Sequence, residues 1–156
     1  MITIKVQTAP FDPGELTNSV HAGDAAIGAL VCFTGYVRDF NQQQTVQGLF
    51  LEHFPGMTEK SLQRIAELAG ERWPLQAVHV VHRVGQLELA EPIVFVAAAS
   101  AHRQDAFEAC AFIMDYLKTR APFWKKEHTA AGSHWVEGRF SDLEAADRWA
   151  DDQESP

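Results

Sequence analysis

The sequence predicts an α+β fold built on a mostly antiparallel sheet with packed helices. Three observations carry that expectation. The candidate strands fall in adjacent pairs instead of alternating one by one with helices, which disfavours a parallel βαβ arrangement. Only two segments carry a clear helical period. The chain has 156 residues, 46% hydrophobic and 22% charged, which is enough for the core of one domain and typical of a globular protein.

The first element is a strand over residues 3–7, inside the alternating run Met1-Ile2-Thr3-Ile4-Lys5-Val6. A short helix over Pro13–His21 follows, with Asp12 as N-cap and Pro13 at the first helical position, where its missing N–H costs nothing. Residues 26–38 hold Ile27, Val31, Phe33, Thr34, Tyr36 and Val37, side chains suited to a pleated surface, with Gly35 at a bend. Residues 41–44 read as a polar loop, and 46–54 as a strand stopped by Pro55-Gly56. Leu62, Ile65, Ala66, Ala69 and Trp73 share one face of a helix that starts after Thr58 and ends before Pro74. Residues 77–87 and 93–100 are strands joined by a turn over 88–92. Ala106, Cys110, Ile113, Met114 and Leu117 repeat the helical stripe until Pro122. A short strand over 134–139 and a helix over 142–149 close the order. Residues 1–149 make a single domain, and 150–156 an acidic, flexible tail.

Charge narrows the function. Thirteen basic residues against twenty-one acidic ones give a net charge of −8, unfavourable for nucleic acid or an anionic membrane. No apolar run approaches the roughly 20 residues of a membrane helix, and the N-terminus lacks a secretion signal, so the expected location is the cytoplasm. Cys32 and Cys110 sit among apolar neighbours and read as buried free thiols. His79 and His82, three apart on a strand, point to opposite faces, and no HExxH or CxxC spacing occurs, so no metal is expected. Glycine-rich phosphate loops are missing too.

Against this acidic background stands a basic island: Lys118, Arg120, Lys125 and Lys126, with no acid between them. Cations in the last turn of a helix offset its dipole by about 0.3–1 kcal/mol each, which accounts for Lys118 and Arg120 without any function. Lys125 and Lys126 follow Pro122 and escape that account. Phe123 and Trp124 beside them suggest a partly buried wall, and burial among cations lowers a lysine's pKa toward proton-transfer chemistry. Ser100-Ala101-His102-Arg103 lies where a strand gives way to a helix, a place where backbone N–H groups and the dipole favour anions. The plainer alternative makes Ser100 an N-cap and Arg103 a solvated charge. A hydrolase built on Ser100 and His102 would lack both a GxSxG elbow and a third member.

Lys118-Thr119-Arg120-Ala121-Pro122-Phe123-Trp124-Lys125-Lys126-Glu127 resembles the large, catalytic subunit of molybdopterin synthase. Supporting blocks occur in the family's order: Phe33-Thr34-Gly35-Tyr36-Val37-Arg38, Leu51-Glu52-His53-Phe54-Pro55-Gly56-Met57-Thr58, Val81-His82-Arg83-Val84-Gly85, Ser100-Ala101-His102-Arg103 and Trp135-Val136-Glu137-Gly138-Arg139. The resemblance implies an α/β-hammerhead-like fold and no cofactor. It implies sulfur transfer from the C-terminal Gly-Gly thiocarboxylate of a small ubiquitin-like subunit to cyclic pyranopterin monophosphate, making the molybdopterin dithiolene. It also implies a homodimer at the core of a heterotetramer. By the same resemblance Lys118 and Lys125 are catalytic. Tyr36, Val37, Arg38, His102, Arg103, Lys126, Glu127 and Arg139 bind substrate, while Phe33 and Met114 form pocket walls. Tyr36 stands where relatives commonly carry a basic residue, and the 39–45 loop has its own sequence. The competing class is a non-catalytic module that accepts a ubiquitin-like tail, which would not require two lysines.

Overall fold

Alternating side chains at the N-terminus form strand β1 (Ile2–Gln7). The structure, a computed structural model, describes residues 1–41, 44–136 and 140–153. Helix α1 (Pro13–His21) begins as expected, with the Asp12 carboxylate accepting from the Gly14 and Glu15 amides at 2.8 and 3.3 Å. Then come β2 (Ala29–Tyr36), β3 (Phe40–Asn41), β4 (Gln44–His53), α2 (Met57–Arg72), β5 (Leu75–Arg83), β6 (Gly85–Glu88) and β7 (Pro92–Ser100). Helix α3 (Arg103–Arg120), β8 (Phe123–Thr129), β9 (Gly132–Val136) and α4 (Phe140–Gln153) complete the chain.

One sheet has the order β1-β5-β7-β2; the other runs β3-β4-β8-β9, with β6 also paired to β4. Among the described pairings only β1 with β5 is parallel, so the α+β, mostly antiparallel expectation holds. Central strands β5 and β7 are buried on both faces, which explains their near-continuous apolar runs.

Three departures from the sequence reading have physical causes. The strand expected over 77–87 breaks at Gly85, whose φ of +87° suits glycine and redirects the chain from the first sheet to the second. Strand β8 lies where no element was expected, because its inward positions include Lys125 and Glu127 instead of apolar residues. Cys32 is exposed, since β2 is an edge strand, whereas Cys110 is buried and its thiol is pushed up to about 12 by burial. Of the expected 41–44 loop, Asn41 and Gln44 belong to β3 and β4, which pair as a hairpin, and 42 and 43 lie outside the described residues. The expected tail does not begin at 150, because α4 continues to Gln153, and 154–156 lie outside the described residues.

The main core packs α2, α3 and α4 on one face of the first sheet, through Leu62, Ile65, Val80, Val96, Phe112, Ile113, Tyr116 and Trp149. Each such side chain contributes about 1.5–3 kcal/mol on burial. Helix α4 is held on α3 by Asp115, which accepts from Arg148 Nη2 and Trp149 Nε1, both at 2.7 Å. The opposite face is covered by α1 through Val20 against Val81, Phe95 and Ala97. A third cluster, Val37, Leu49, Leu51, Val84 and Leu87, includes β4 and β6 of the second sheet. There the functional groups gather.

Candidate active site

A cavity of about 390 Å³ opens above that third cluster. Its apolar lining includes Phe33, Val37, Leu49, Leu51 and Leu117, and its charged groups are Arg38, Lys118, Lys125, Glu127 and Asp142. Charges beside such a lining interact more strongly than in water.

Local structure explains why the two lysines converge. Lys118 belongs to the last turn of α3, which ends ahead of Pro122. The chain turns tightly there, with the Phe123 amide donating to the Ala121 carbonyl at 3.0 Å. Strand β8 then runs antiparallel to β4, and alternation directs Phe123, Lys125 and Glu127 to the cavity. Trp124 and Lys126 take the other face. Trp124 is exposed there, and Lys126 Nζ sits 5.6 Å from the centre of the Trp135 ring. Glu127 is buried, its carboxylate 3.7 Å from His134 Nε2.

Arg38 is presented by a separate device. The Val37 amide donates to the Glu91 carbonyl at 3.0 Å, and the Ala90 amide donates to the Val37 carbonyl at 2.9 Å. The turn that makes these bonds is pinned by buried Arg83, whose guanidinium donates to the Glu91 carboxylate at 2.9 Å and to the Thr8 carbonyl at 3.0 and 3.2 Å. The Glu88 amide and Arg83 hold the Glu91 carboxyl below its ordinary value.

His82 also lines the cavity. Its ring stacks on Phe123 with centres 3.9 Å apart, and its Nδ1 donates to the Arg83 carbonyl at 2.8 Å. Burial first, and then the charges of Lys118 and Lys125, push its pKa down to about 4 against the pull of that hydrogen bond. Sequence reasoning considered His82 only as half of a metal pair and missed it as a site residue. The signal available was its place near the end of a buried strand. Among the described residues no three His, Cys, Asp or Glu side chains gather as metal ligands.

The structure therefore brings together Lys118, Lys125, Tyr36, Val37, Arg38, Glu127 and Phe33 around one cavity. His102 and Arg103 are exposed at the opposite end of α3, and Arg103 is fifteen residues, about 22 Å at 1.5 Å per residue, from Lys118. Met114 packs against the main core, and Arg139 lies outside the described residues. Ser100 is fully buried and donates to the Pro74 carbonyl at 2.8 Å; it is neither an N-cap nor an accessible nucleophile, and the hydrolase reading falls with it. His102 takes the N-cap position, without a side-chain capping bond.

Fold and cavity together define an α+β domain in which two lysines and an arginine share a partly apolar pocket with Glu127 and Asp142. The model of the MoaE protein family matches residues 6–120, and the chain belongs to that family. It is 64% identical over 148 residues to the molybdopterin synthase catalytic subunit of Pseudomonas aeruginosa, covering 95% of this chain and 99% of that one. The molybdopterin biosynthesis MoaE protein of Burkholderia ambifaria superimposes with a TM-score of 0.82 at 51% identity, covering 96% and 99% of the two chains. A third structure, of a complex of subunits 1 and 2 of the molybdopterin-converting factor from Helicobacter pylori, shares the fold with a TM-score of 0.71 at 18% identity, over 88% and 91% of the chains. Among the described residues no helix is long and apolar enough to cross a membrane.

Proposed function

We propose that this chain is the catalytic subunit of a molybdopterin synthase and that the cavity is where sulfur is transferred. The donor is the C-terminal thiocarboxylate of a small ubiquitin-like subunit; the acceptor is cyclic pyranopterin monophosphate; the location is the cytoplasm. The observation that carries this reading is the convergence of Lys118 and Lys125 with Arg38 on one cavity of a protein with net charge −8. Both reactants are anions, and a site that holds them together must be locally cationic.

Lys118 lies beside the thiocarboxylate. The thiocarboxylate sulfur attacks a side-chain carbon of the precursor, and the C–O bond at that carbon breaks, its oxygen leaving as water with a proton that Lys125 moves. Lys125 also stabilises the acyl intermediate, a thioester, until water cleaves it, releasing the carboxylate of the small subunit and leaving the sulfur on the pterin. A second loaded subunit repeats the cycle as the cyclic phosphate opens. Arg38 grips phosphate through its planar fork, the Tyr36–Val37 backbone and Phe33 and Glu127 shape the pocket, and Lys126 adds positive charge from the other face of β8; Arg139 is assigned to substrate by the family resemblance alone. His102 and Arg103 are too far from Lys118 to meet the same small substrate within one chain. In the homodimer they serve the cavity of the neighbouring copy. The test is to mix the protein with thiocarboxylated small subunit and the cyclic pterin and assay for dithiolene product. Lys118→Ala is expected to lower turnover at least a hundredfold while the protein stays folded. Near-normal turnover of that variant would remove Lys118 from the chemistry.

A further inference from the structure

His82 is a buried titratable group in the cavity that the sulfur-transfer scheme does not use. An imidazole in an active site invites an acid–base role, and its surroundings argue for a different one. A carbonyl oxygen accepts hydrogen bonds and never donates, so the 2.8 Å contact with the Arg83 carbonyl requires the ring proton on Nδ1. Nε2 is then a bare lone pair. Face-to-face stacking on Phe123, with ring planes 19° apart, fixes the plane in which that lone pair lies. His82 lines the same cavity as Lys118 and Lys125.

The charged and titratable groups around the ring come from three packed elements: Lys118 on α3, Lys125 on β8 and His53 on β4. Each resists a positive charge on His82, and burial resists it more strongly still. The ring therefore stays neutral through the physiological range. A permanently neutral acceptor among ammonium groups is suited to receive an N–H bond, and Lys118 acts on the ring more strongly than Lys125 does.

We propose that His82 is a positioning residue for the catalytic lysine: its Nε2 lone pair, fixed by the Arg83 carbonyl and by Phe123, accepts a hydrogen bond from the Lys118 ammonium and sets where that group stands in the cavity. This rests on the sulfur-transfer reading above. Nothing is oxidised or cleaved in this role; the proton on Nδ1 stays where it is, and only the lysine N–H is shared.

The test compares His82→Phe, which keeps a flat stacking ring without a lone pair, with His82→Gln, which returns an acceptor oxygen. His82→Phe is expected to lower kcat at least tenfold with KM for both substrates within about twofold. The pH–rate limb set by Lys118 should move to lower pH, because the ammonium has lost its acceptor. His82→Gln should recover most of kcat. Wild-type kcat and limb in His82→Phe, or equal losses in both variants, overturn the proposal. Nitrogen NMR of the wild-type imidazole tests it without a His82 variant: Nδ1 should be protonated and Nε2 bare from pH 5.5 to 8.5, and Lys118→Ala should move the Nε2 resonance. A ring protonated on Nε2, or an Nε2 signal indifferent to Lys118→Ala, overturns it equally. Lys118→Ala turnover separates the two failures, since an active Lys118→Ala enzyme sinks the functional reading itself.

Discussion

The hydroxyl of Thr58 donates to the carbonyl of Pro122 at 3.0 Å, although the two residues are 64 apart in sequence. The same oxygen accepts from the Phe54 amide at 3.0 Å, and Thr58 is fully buried. Pro122 is the pivot between Lys118 at the end of α3 and Lys125 on β8. A single buried hydroxyl thus ties the start of α2 to the turn that spaces the two lysines.

Replacing Thr58 with Val keeps the shape and removes the hydroxyl, leaving a part-buried carbonyl and a part-buried amide without this partner, at about 1–3 kcal/mol in all. The variant should melt several degrees lower and turn over several-fold more slowly, whereas Thr58→Ser should recover most of both. Thermal melts and single-turnover sulfur transfer measure the two effects. A Thr58→Val enzyme with full stability and rate would show that the turn holds itself.

Stability should fall in mild acid, and His82 gives the sign. Its folded pKa is about 4 against an ordinary value of 6.5, so the unfolded chain takes up the proton first as the pH drops. The contribution is intact above about pH 6.5 and declines toward pH 4, by about 3 kcal/mol in all. His79, lowered by burial first and then by Lys5 and the N-terminus, acts in the same direction. Glu91, held low by the Glu88 amide and Arg83, adds a loss at still lower pH as its carboxylate is protonated. Urea denaturation at pH 7 and pH 4.5 should show the decline in the wild type and a shallower one in His82→Phe. Parallel slopes in the two proteins would remove His82 from this account.

What was legible in the sequence follows from how burial writes itself into residue types. Helices α2 and α3 bury one apolar stripe each, so Leu62, Ile65 and Ala69, or Cys110, Ile113 and Leu117, announce them. Asp12 and Pro13 mark the start of α1 because unpaired amides at a helix end need an acceptor. Strand β8 escaped because its inward side chains include Lys125 and Glu127: the functional demand for charge in the cavity erased the alternation of polarity that reveals a strand. Cys32 misled because apolar neighbours along a strand say nothing about whether a second layer covers it. The lysine pair was legible as chemistry, but their meeting point was not, since it depends on Thr58 clasping Pro122 from a remote part of the chain. The separation of Arg103 from Lys118 follows from helix length alone, and it becomes informative only once both are required to touch one substrate.

That separation leads to a test of assembly. Within one chain Arg103 and Lys118 stand about 22 Å apart along α3, far beyond the reach of both side chains onto one small anion. In a twofold pair each cavity would take Lys118 from one copy and Arg103 from the other. Arg103→Ala should weaken precursor binding, and Lys118→Ala should abolish turnover, each alone disabling both cavities at limiting precursor. Unfolding the two variants together and refolding them at equal amounts makes half of the pairs mixed. One of the two cavities in each mixed pair then carries both intact residues, so activity should return to about a quarter of wild type. The assay is dithiolene formation at precursor concentrations well below the KM of Arg103→Ala. Failure to recover activity in a sample whose mass spectrum shows mixed pairs would place Arg103 outside the shared site.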